Sequence, residues 1–382
     1  ASLAAAKSEA SSGLNKDLFA ALDWPVDLEG YIDFLFGFAR WRPHQSDAVA
    51  WKSDPDHPDK ESSQEVYDRL CHFYWLIDQK VGPDGIRLQN IPWFADWLIS
   101  YADVWGSFLD TPESFDDKIL ASFQNDSPKF RVEDSMIDGR PNAPSGWLTF
   151  NQFFARELNP GLRPIVEAGG NTTVVCPADC TFKQTYPIGP DSTIDLGPEA
   201  TAGHVTFKQT HRVGNIAELL QDSPYANDFA GGTFVHYFLG PYSYHRFHTP
   251  VSGKVLECRA IPGDVYLAVN LAGEQFDAPD DAADGYQFTQ ARGLITIDTK
   301  PSTGGDIGLV AVIPVGMCQV SSVNMTHAVG AQTRKGDEFG YFLFGGSDII
   351  VLFQEGANPQ IDTGSDYRHY GTPIATCDLR SS

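Results

Sequence analysis

Two kinds of hydrophobic periodicity divide the chain at about residue 145. Before that point, apolar side chains recur every three or four positions, which predicts amphipathic helices. The first stripe comprises Val66, Leu70, Phe73, Tyr74 and Ile77, and the second comprises Phe94, Trp97, Leu98, Tyr101 and Trp105. Thr111-Pro112-Glu113 is typical of the start of a further helix. We therefore expect a helical region over residues 18–145, preceded by a flexible tail over residues 1–17.

Beyond residue 170, short apolar runs alternate with glycine and proline, a pattern typical of strands. The expected strands are Thr173–Cys176, Thr233–Leu239, Lys254–Arg259, Leu294–Asp298, Leu309–Val315, Phe339–Phe344 and Ile349–Phe353. A short helix is expected at Asn215–Gln221. The whole chain is therefore predicted to be α+β, with the helical region followed by a mostly antiparallel β domain over residues 146–382.

Composition changes this picture in two places. Seven of the eight tryptophans lie before residue 145, where we interpret them as core anchors; the alternative is an aromatic wall over an apolar substrate.

The six cysteines form no CxxC pair, although Cys176 and Cys180 are four positions apart. We therefore expect reduced thiols and no metal site.

The charge of the chain restricts its partners. Against 27 basic residues stand 50 acidic ones, so the net charge is −23, which repels nucleic acid and anionic lipid surfaces. No apolar run approaches the roughly 18 residues of a membrane span. The first residues also lack the apolar core of a secretory signal. We expect a cytoplasmic protein with no nucleic-acid partner and no stable membrane insertion.

Three polar segments are candidates for chemistry: Cys176-Pro-Ala-Asp179-Cys180, Tyr244–Pro250 and Phe344-Gly-Gly-Ser-Asp348. In the third segment, two glycines leave the Gly346 carbonyl unshielded, so the Ser347 hydroxyl can turn back onto it. Taken alone, Gly-Gly-Ser is more often a bulge or a turn. A serine becomes a nucleophile when a histidine accepts its proton and a carboxylate orients that histidine. His248 and Asp179 are available for these roles, although chain order does not establish geometry.

Together, these segments resemble the phosphatidylserine decarboxylase family of pyruvoyl enzymes. The run from His245 to Gly253 is similar to the family pattern H-R-x-H-x-P-x-x-G, and Pro177-Ala-Asp179 is similar to its P-x-D. Residues 153–164 are similar to F-F-x-R-x-L-x-P-x-x-R-P, and residues 329–347 are similar to the cleavage region. The resemblance covers about residues 147–355. More loosely, the helical stretch around Trp105-Gly-Ser-Phe-Leu109 resembles fungal members that decarboxylate soluble amino acids, notably tryptophan.

The resemblance implies a two-stage activity. Asp179 orients His248, His248 accepts the proton of Ser347, and the chain cleaves itself between Gly346 and Ser347. Ser347 becomes a covalent pyruvoyl cofactor in place of pyridoxal phosphate, and the two cleaved chains stay associated. The cofactor accepts the electrons released with CO₂, and His245 is the proton donor in decarboxylation.

The expected substrate is a soluble small molecule, an aromatic L-amino acid such as tryptophan. Ser243, Cys180 and Asp348 depart from the residues that phospholipid enzymes usually carry, which puts a phospholipid substrate in doubt. Phosphatidylserine remains the alternative within the family. From another class, Asp179, His248 and Ser347 are compatible with a serine hydrolase that does not cleave itself. A third alternative is a non-catalytic binding domain, against which the intact trio argues.

Overall fold

The computed structural model describes residues 1–51, 64–81, 85–195, 213–278, 285–318 and 322–380. Within these residues the helices are α1 (Ser2–Gly13), α2 (Lys16–Ala21), α3 (Leu28–Phe38), α4 (Glu65–Ile77), α5 (Pro92–Leu109), α6 (Asp117–Asp126), α7 (Phe150–Phe154) and α8 (Ile216–Leu219). Most of them precede residue 145, and most strands follow it. The predicted α+β class is therefore confirmed.

The strands in the described residues are mostly short. They are β1 (Lys80–Val81), β2 (Ile86–Arg87), β3 (Met136–Ile137), β4 (Arg140–Pro141), β5 (Thr173–Val175), β6 (Cys180–Pro187), β7 (Thr193–Asp195), β8 (Val213–Asn215), β9 (Thr233–Leu239), β10 (Arg246–His248), β11 (Gly253–Ile261), β12 (Asn270–Ala272), β13 (Gln275–Asp277), β14 (Arg292–Asp298), β15 (Leu309–Met317), β16 (Val323–Met325), β17 (Gln332–Thr333), β18 (Glu338–Phe342), β19 (Gly346–Phe353), β20 (Gln360–Ile361), β21 (Tyr367–Arg368) and β22 (Pro373–Thr376).

An eight-stranded antiparallel sheet forms the centre of the β domain. Its order is β17-β11-β14-β15-β19-β9-β6-β21, so β19 lies in the middle with a long strand on either side. Two three-stranded sheets, β10-β18-β16 and β20-β22-β5, accompany it. Apolar side chains cover both faces of the large sheet, which is why its central strands have nearly continuous apolar sequences.

Helix boundaries follow local capping chemistry. The third helix predicted from Thr111-Pro112 begins later than expected, because residues 112–114 form only a 3₁₀ turn. The α6 helix starts at Asp117, where the carboxylate of Asp116 accepts hydrogen bonds from the backbone N–H groups of Lys118 and Ile119, both at 3.0 Å. Such a cap satisfies N–H groups that have no partner within the helix.

The flexible tail predicted for residues 1–17 differs from the structure. Residues 2–13 form α1, in which Ala6 and Ala10 are fully buried. The indole N–H of Trp75 in α4 donates to the Ala6 carbonyl at 2.9 Å. Because small residues allow two helices to approach closely, the alanines at these positions permit this packing.

An aromatic core joins the helical region to the β domain. Trp105 of α5 is fully buried and packs against Phe38, Trp41 and Phe344, with ring centroids 5.0–5.8 Å apart. Its indole N–H donates to the Trp41 carbonyl at 3.0 Å. The same cluster includes Met317 and Cys318 at the end of β15. The buried tryptophans of this region are therefore core anchors, and Trp105 reaches the segment that precedes Ser347.

Replacing Trp105 with alanine should destabilise the protein strongly, because it leaves a large cavity in this core. We expect a loss of about 3–5 kcal/mol in the free energy of unfolding, measured by urea denaturation followed by circular dichroism. Trp93 lies on the same helix but is 65% exposed, so Trp93→Ala is the matched control with an expected loss below about 0.5 kcal/mol. Equal losses for the two variants would contradict the core role of Trp105.

Candidate active site

Ser347 lies within a strand rather than in the turn that Gly-Gly-Ser alone suggests. The bend is confined to Phe344–Gly345, and β19 begins at Gly346. Ser347 is paired with Gly316 of β15 on one side and with Leu239 of β9 on the other. The residue is fully buried. The Gly346–Ser347 bond therefore lies at the start of the central strand of the large sheet.

Strand alternation determines which face of the sheet Ser347 occupies. Successive side chains of a strand point to opposite faces, so Ser347 shares its face with Ile349 and Val351. These two residues pack in the cluster that contains Ala178 and Phe247, the immediate neighbours of Asp179 and His248. Each of the three segments singled out in the sequence therefore has a member or an immediate neighbour in one apolar cluster.

Phe344 anchors the chain just before the candidate cleavage bond. Its ring meets those of Trp105, Phe150 and Phe154 edge to face, with centroids 5.1–5.4 Å apart. Its backbone N–H donates to the Asn151 side chain at 3.4 Å. Phe150, Asn151 and Phe154 all belong to α7, whose start is capped by the Thr149 hydroxyl. The short helix therefore fixes the upstream side of the bond.

His248 is held as a neutral imidazole with one free nitrogen. Its Nδ1 lies 2.9 Å from the Gly336 carbonyl, which can only accept, so Nδ1 carries the proton and Nε2 carries the lone pair. Nε2 is buried without a hydrogen-bond partner. Burial lowers the pKa of His248 to about 4. At neutral pH this histidine is therefore in the form that accepts a proton.

Two features of the backbone determine the orientation of the His248 side chain. The pairing of β10 with β18 shifts register between Phe247 and His248, and such a bulge re-aims the side chain. Gly336 has a φ of +89°, and a Cβ at this position would meet the Ile165 side chain at 2.6 Å. Glycine is needed here because both the backbone conformation and the space exclude a side chain.

Asp179 is buried and ionised, but it does not hydrogen bond to His248. Arg163 donates to both of its carboxylate oxygens, at 3.1 Å from Nε and 2.6 Å from Nη2. His369 Nδ1 lies 2.9 Å from Oδ2, and the Tyr370 backbone N–H donates to Oδ1 at 2.8 Å. Burial alone would raise the pKa of Asp179, yet the contacts from His369, Arg163 and Tyr370 bring it below its ordinary value. The expected direct orientation of His248 by Asp179 is thus absent among these contacts.

Sequence reasoning missed His369 and Tyr370. His369 is 190 residues from Asp179, and nothing in its neighbourhood indicates chemistry. The Tyr370 ring is stacked on His248 with centroids 3.7 Å apart and planes 3° apart. Arg163, by contrast, lies in a segment that the family resemblance had already singled out. His369 and Tyr370 can be placed at the site only when the strand order of the last 30 residues is known.

His245 occupies a different environment from His248. Its ring is stacked on Phe154, with centroids 4.0 Å apart, and its Nε2 lies 3.2 Å from the Pro241 carbonyl. The proton is therefore on Nε2, and the lone pair is on Nδ1, the reverse of His248. Burial lowers the pKa of His245 to about 3. His245, expected from the sequence to be the proton donor, is therefore neutral in the intact chain.

Two further groups lie beside the candidate bond. A Cβ on Gly346 would lie 3.7 Å from the Sγ atom of Cys318, and burial raises the pKa of that thiol to about 12. On the opposite face from Ser347, Asp348 Oδ2 lies 3.1 Å from His236 Nε2, and both side chains are fully buried. Cys318 remains a thiol at neutral pH and is therefore a poor competitor of Ser347.

The side chains present fit a prosthetic group made from Ser347. The Ser347 hydroxyl and His248 Nε2 are both buried without a hydrogen-bond partner. Such a state is costly for polar atoms, and a catalytic role is one explanation for it.

In the part of the chain that the structure describes, no cluster of three His, Cys, Asp or Glu side chains is arranged to bind a metal. Among the same residues, no helix combines the length and hydrophobicity needed to span a membrane.

Comparison with known proteins identifies the family. The family model for phosphatidylserine decarboxylase matches residues 150–375, which is more than half of the chain. The chain belongs to the phosphatidylserine decarboxylase family. The family resemblance noted in the sequence is thereby confirmed, as is the enzyme class, a pyruvoyl-dependent decarboxylase.

Individual relatives cover the chain to different extents. "Decarboxylase iboD" of Amanita muscaria is 28% identical over 305 residues, which are 74% of this chain and 82% of that protein. Phosphatidylserine decarboxylase proenzyme 2 of Oryza sativa is 30% identical over 264 residues, 69% of this chain but only 37% of that protein. The proenzyme of Chlamydia trachomatis serovar L2 is 31% identical over 209 residues, 54% of this chain and 60% of that protein. The chain thus spans less than two thirds of these two phospholipid-enzyme relatives.

The Asp179–Arg163 pair predicts how stability depends on pH. Because the folded-state pKa of Asp179 lies below its unfolded value of about 3.9, the carboxylate stabilises the fold above that pH, and its contribution disappears as pH falls through the folded value. Asp179→Asn should cost about 3 kcal/mol at pH 7, because Arg163 stays buried with its main partner neutralised. The deficit should shrink below about pH 4.

Urea unfolding at pH 7, 5 and 3.5 measures this difference, in a Ser347→Ala background so that every chain compared is intact. Asp366 is exposed in the same C-terminal segment, so Asp366→Asn is the matched control and should change little. A deficit for Asp179→Asn that stays constant down to pH 3.5 would show that the lost charge is not its cause.

Proposed function

We propose that this chain cleaves itself at Gly346–Ser347, converts Ser347 into a pyruvoyl group, and decarboxylates a soluble aromatic amino acid to the amine. One observation carries the proposal. In a member of this family, an unpartnered buried serine hydroxyl and an unpartnered buried histidine nitrogen belong to segments that pack against one apolar cluster. A hydroxyl and a base kept free of other bonds are what a self-processing reaction requires.

Self-cleavage needs residues of the chain and water. His248 Nε2 takes the proton from the Ser347 hydroxyl, whose oxygen attacks the Gly346 carbonyl. The C–N bond breaks, the released Ser347 amine takes the proton from His248, and an ester replaces the peptide bond. Loss of the Ser347 α-proton then breaks the ester C–O bond, which leaves a carboxylate on Gly346 and a dehydroalanine at position 347. Water hydrolyses that residue to a ketone and releases ammonia. With a pKa near 4, His248 is neutral at physiological pH, so its Nε2 lone pair is available for the first step.

In the second stage the pyruvoyl group supplies an electron sink for the electrons released with CO₂. Each turnover consumes one proton, which the α-carbon of the product receives. We assign its delivery to His245, whose Nδ1 carries the lone pair and is buried without a partner. Burial keeps His245 neutral in the intact chain, so Nδ1 must take up a proton before it can deliver one.

Two observations support a soluble substrate: the net charge of the chain and the length over which it matches the fungal decarboxylase. The net charge of −23 opposes binding to an anionic bilayer, and the fungal decarboxylase is matched along 82% of its length. A cavity of about 680 Å³ borders Asn151 and Leu343, next to the cleavage segment, and Trp147 and Tyr341 give it aromatic walls. Arg246 also lines this cavity, where its guanidinium is paired with Glu338 at 2.8 Å. Tryptophan is the amino acid that we propose first.

Phosphatidylserine is the second candidate, favoured by the family model and by the names of the rice and Chlamydia relatives. A serine hydrolase that never cleaves itself is disfavoured. In such enzymes the carboxylate hydrogen bonds to the catalytic histidine, whereas Asp179 contacts Arg163 and His369 here.

Self-cleavage predicts a specific fragment. Purified protein should give a 36-residue C-terminal piece, Ser347 to Ser382 of the sequence, with a blocked first residue. A denaturing gel and an intact-mass spectrum detect it. Ser347→Ala should remain full length and show no decarboxylation, because the hydroxyl is the source of the cofactor. A full-length wild-type chain with esterase activity would refute the pyruvoyl assignment.

His245→Ala separates the two stages. This variant should still be cut, because His248 and Ser347 are intact, but it should release CO₂ at least about 100-fold more slowly. His248→Ala should stay uncut. If His245→Ala failed to mature while His248→Ala did, the roles of the two histidines would be reversed.

Substrate choice is decided by CO₂ release from free amino acids and from phosphatidylserine vesicles, with cleaved wild-type protein. We expect release from free tryptophan and little from vesicles, because the chain is strongly acidic. The Ser347→Ala chain is the blank in both assays. Release from vesicles alone would replace the amino-acid proposal with the phospholipid one.

A further inference from the structure

The residues that surround His248 come from both sides of the candidate cleavage bond. The carbonyl of Gly336, upstream of the bond, accepts a hydrogen bond from His248 Nδ1 at 2.9 Å. Tyr370, downstream, covers one ring face at 3.7 Å with nearly parallel planes. The first contact fixes the tautomer, and the second fixes the plane of the imidazole. Together they leave Nε2 as the only nitrogen able to accept a proton.

The position of Tyr370 depends in turn on Asp179. The Tyr370 backbone N–H donates to Asp179 Oδ1 at 2.8 Å, and the preceding His369 reaches Oδ2 at 2.9 Å. Gly371 follows with a φ of +85°, and a Cβ there would meet the Pro164 carbonyl at 2.9 Å. The dipeptide is therefore fixed to the carboxylate on one side and to a tight turn on the other.

We propose that Tyr370 is a positioning residue for self-cleavage, through which Asp179 acts on His248. This inference rests on the proposed function and deepens it. The imidazole does not donate a hydrogen bond directly to the carboxylate. Instead, Asp179 accepts hydrogen bonds from residues 369–370, and the Tyr370 ring stacks on the imidazole. The C-terminal fragment then carries both the reacting serine and the ring that orients its base.

The charged and titratable groups that face His248 are few. They are Asp179, Arg246 and Asp337, which act on it through their charge, together with the phenols of Tyr244 and Tyr370, which cover it. Among these groups Tyr370 is the one stacked directly on the ring. Its removal should therefore loosen the imidazole and let water reach it, without changing the number of charges nearby.

The first measurement is the rate of self-cleavage after refolding or synthesis in a cell-free system. Tyr370→Leu should slow it by about 10-fold or more, because a misoriented base loses its alignment with the hydroxyl. Tyr370→Phe keeps both the ring and the backbone N–H and should restore most of the rate. Tyr225→Leu, the same change at a half-buried tyrosine beside a short 3₁₀ helix, is the matched control.

The second measurement does not depend on cleavage. In the uncut Ser347→Ala chain, an NMR titration of labelled imidazoles gives the pKa of His248, identified by the signal lost in His248→Gln. With Tyr370→Leu that pKa should rise from about 4 toward the ordinary value of about 6.5, since burial is its main cause. With Tyr370→Phe it should stay low. Loss of stability alone would not move it.

The outcomes are separable. A slower cut and a raised pKa for Tyr370→Leu, both reversed by phenylalanine, support the inference. A folded Tyr370→Leu that cuts at the wild-type rate with an unchanged pKa overturns it. If that variant does not fold, Tyr370→Met, which fills similar space without a flat ring, should reproduce the slow cut, and a wild-type rate of cleavage overturns the inference. A wild-type chain that never cuts refutes the proposed function, while the NMR titration still decides whether Tyr370 holds His248.

Discussion

The pairing of β19 with β15 and β9 is the constraint on which the rest of the site depends. It fixes the face of the sheet that Ser347 occupies and removes the hydroxyl from solvent. Alternation along the strand then leaves one surface on which a base can be placed. The other groups near the candidate bond are each held by an anchor of their own: Phe344 by aromatic rings, His248 by a bulge, and Asp179 by Arg163.

Electrostatics at the site follow from two different ways of burying a polar group. The histidines give up their charge and bond to backbone carbonyls, so burial depresses their pKa values. The carboxylate keeps its charge, because the Arg163 guanidinium is buried with it and matches both of its oxygens. For His248, burial outweighs the charge of Asp179, so the imidazole stays neutral despite an acid nearby.

Local sequence predicted much of the fold and part of the site. The strand β9 was predicted with its observed bounds, and β15 and β19 were predicted within three residues, because their apolar runs end at glycine or at polar residues. The grouping of the three candidate segments into one site stays a prediction. The partners of Asp179 and His248 were not predictable, since they are backbone atoms or distant side chains selected by strand order. Likewise, the helix α1 depends on tertiary packing of small residues, which local composition does not express.

The central place of β19 has a consequence for the protein as an assembly of fragments. A break before Ser347 would leave the hydrogen-bond ladders on both sides of the strand in place. Removing the short fragment, by contrast, would divide the sheet and leave β15 and β9 as two open edges. Such edges are templates for intermolecular pairing and aggregation. The short fragment would therefore behave as a permanent subunit, and its loss would expose the remaining chain to aggregation.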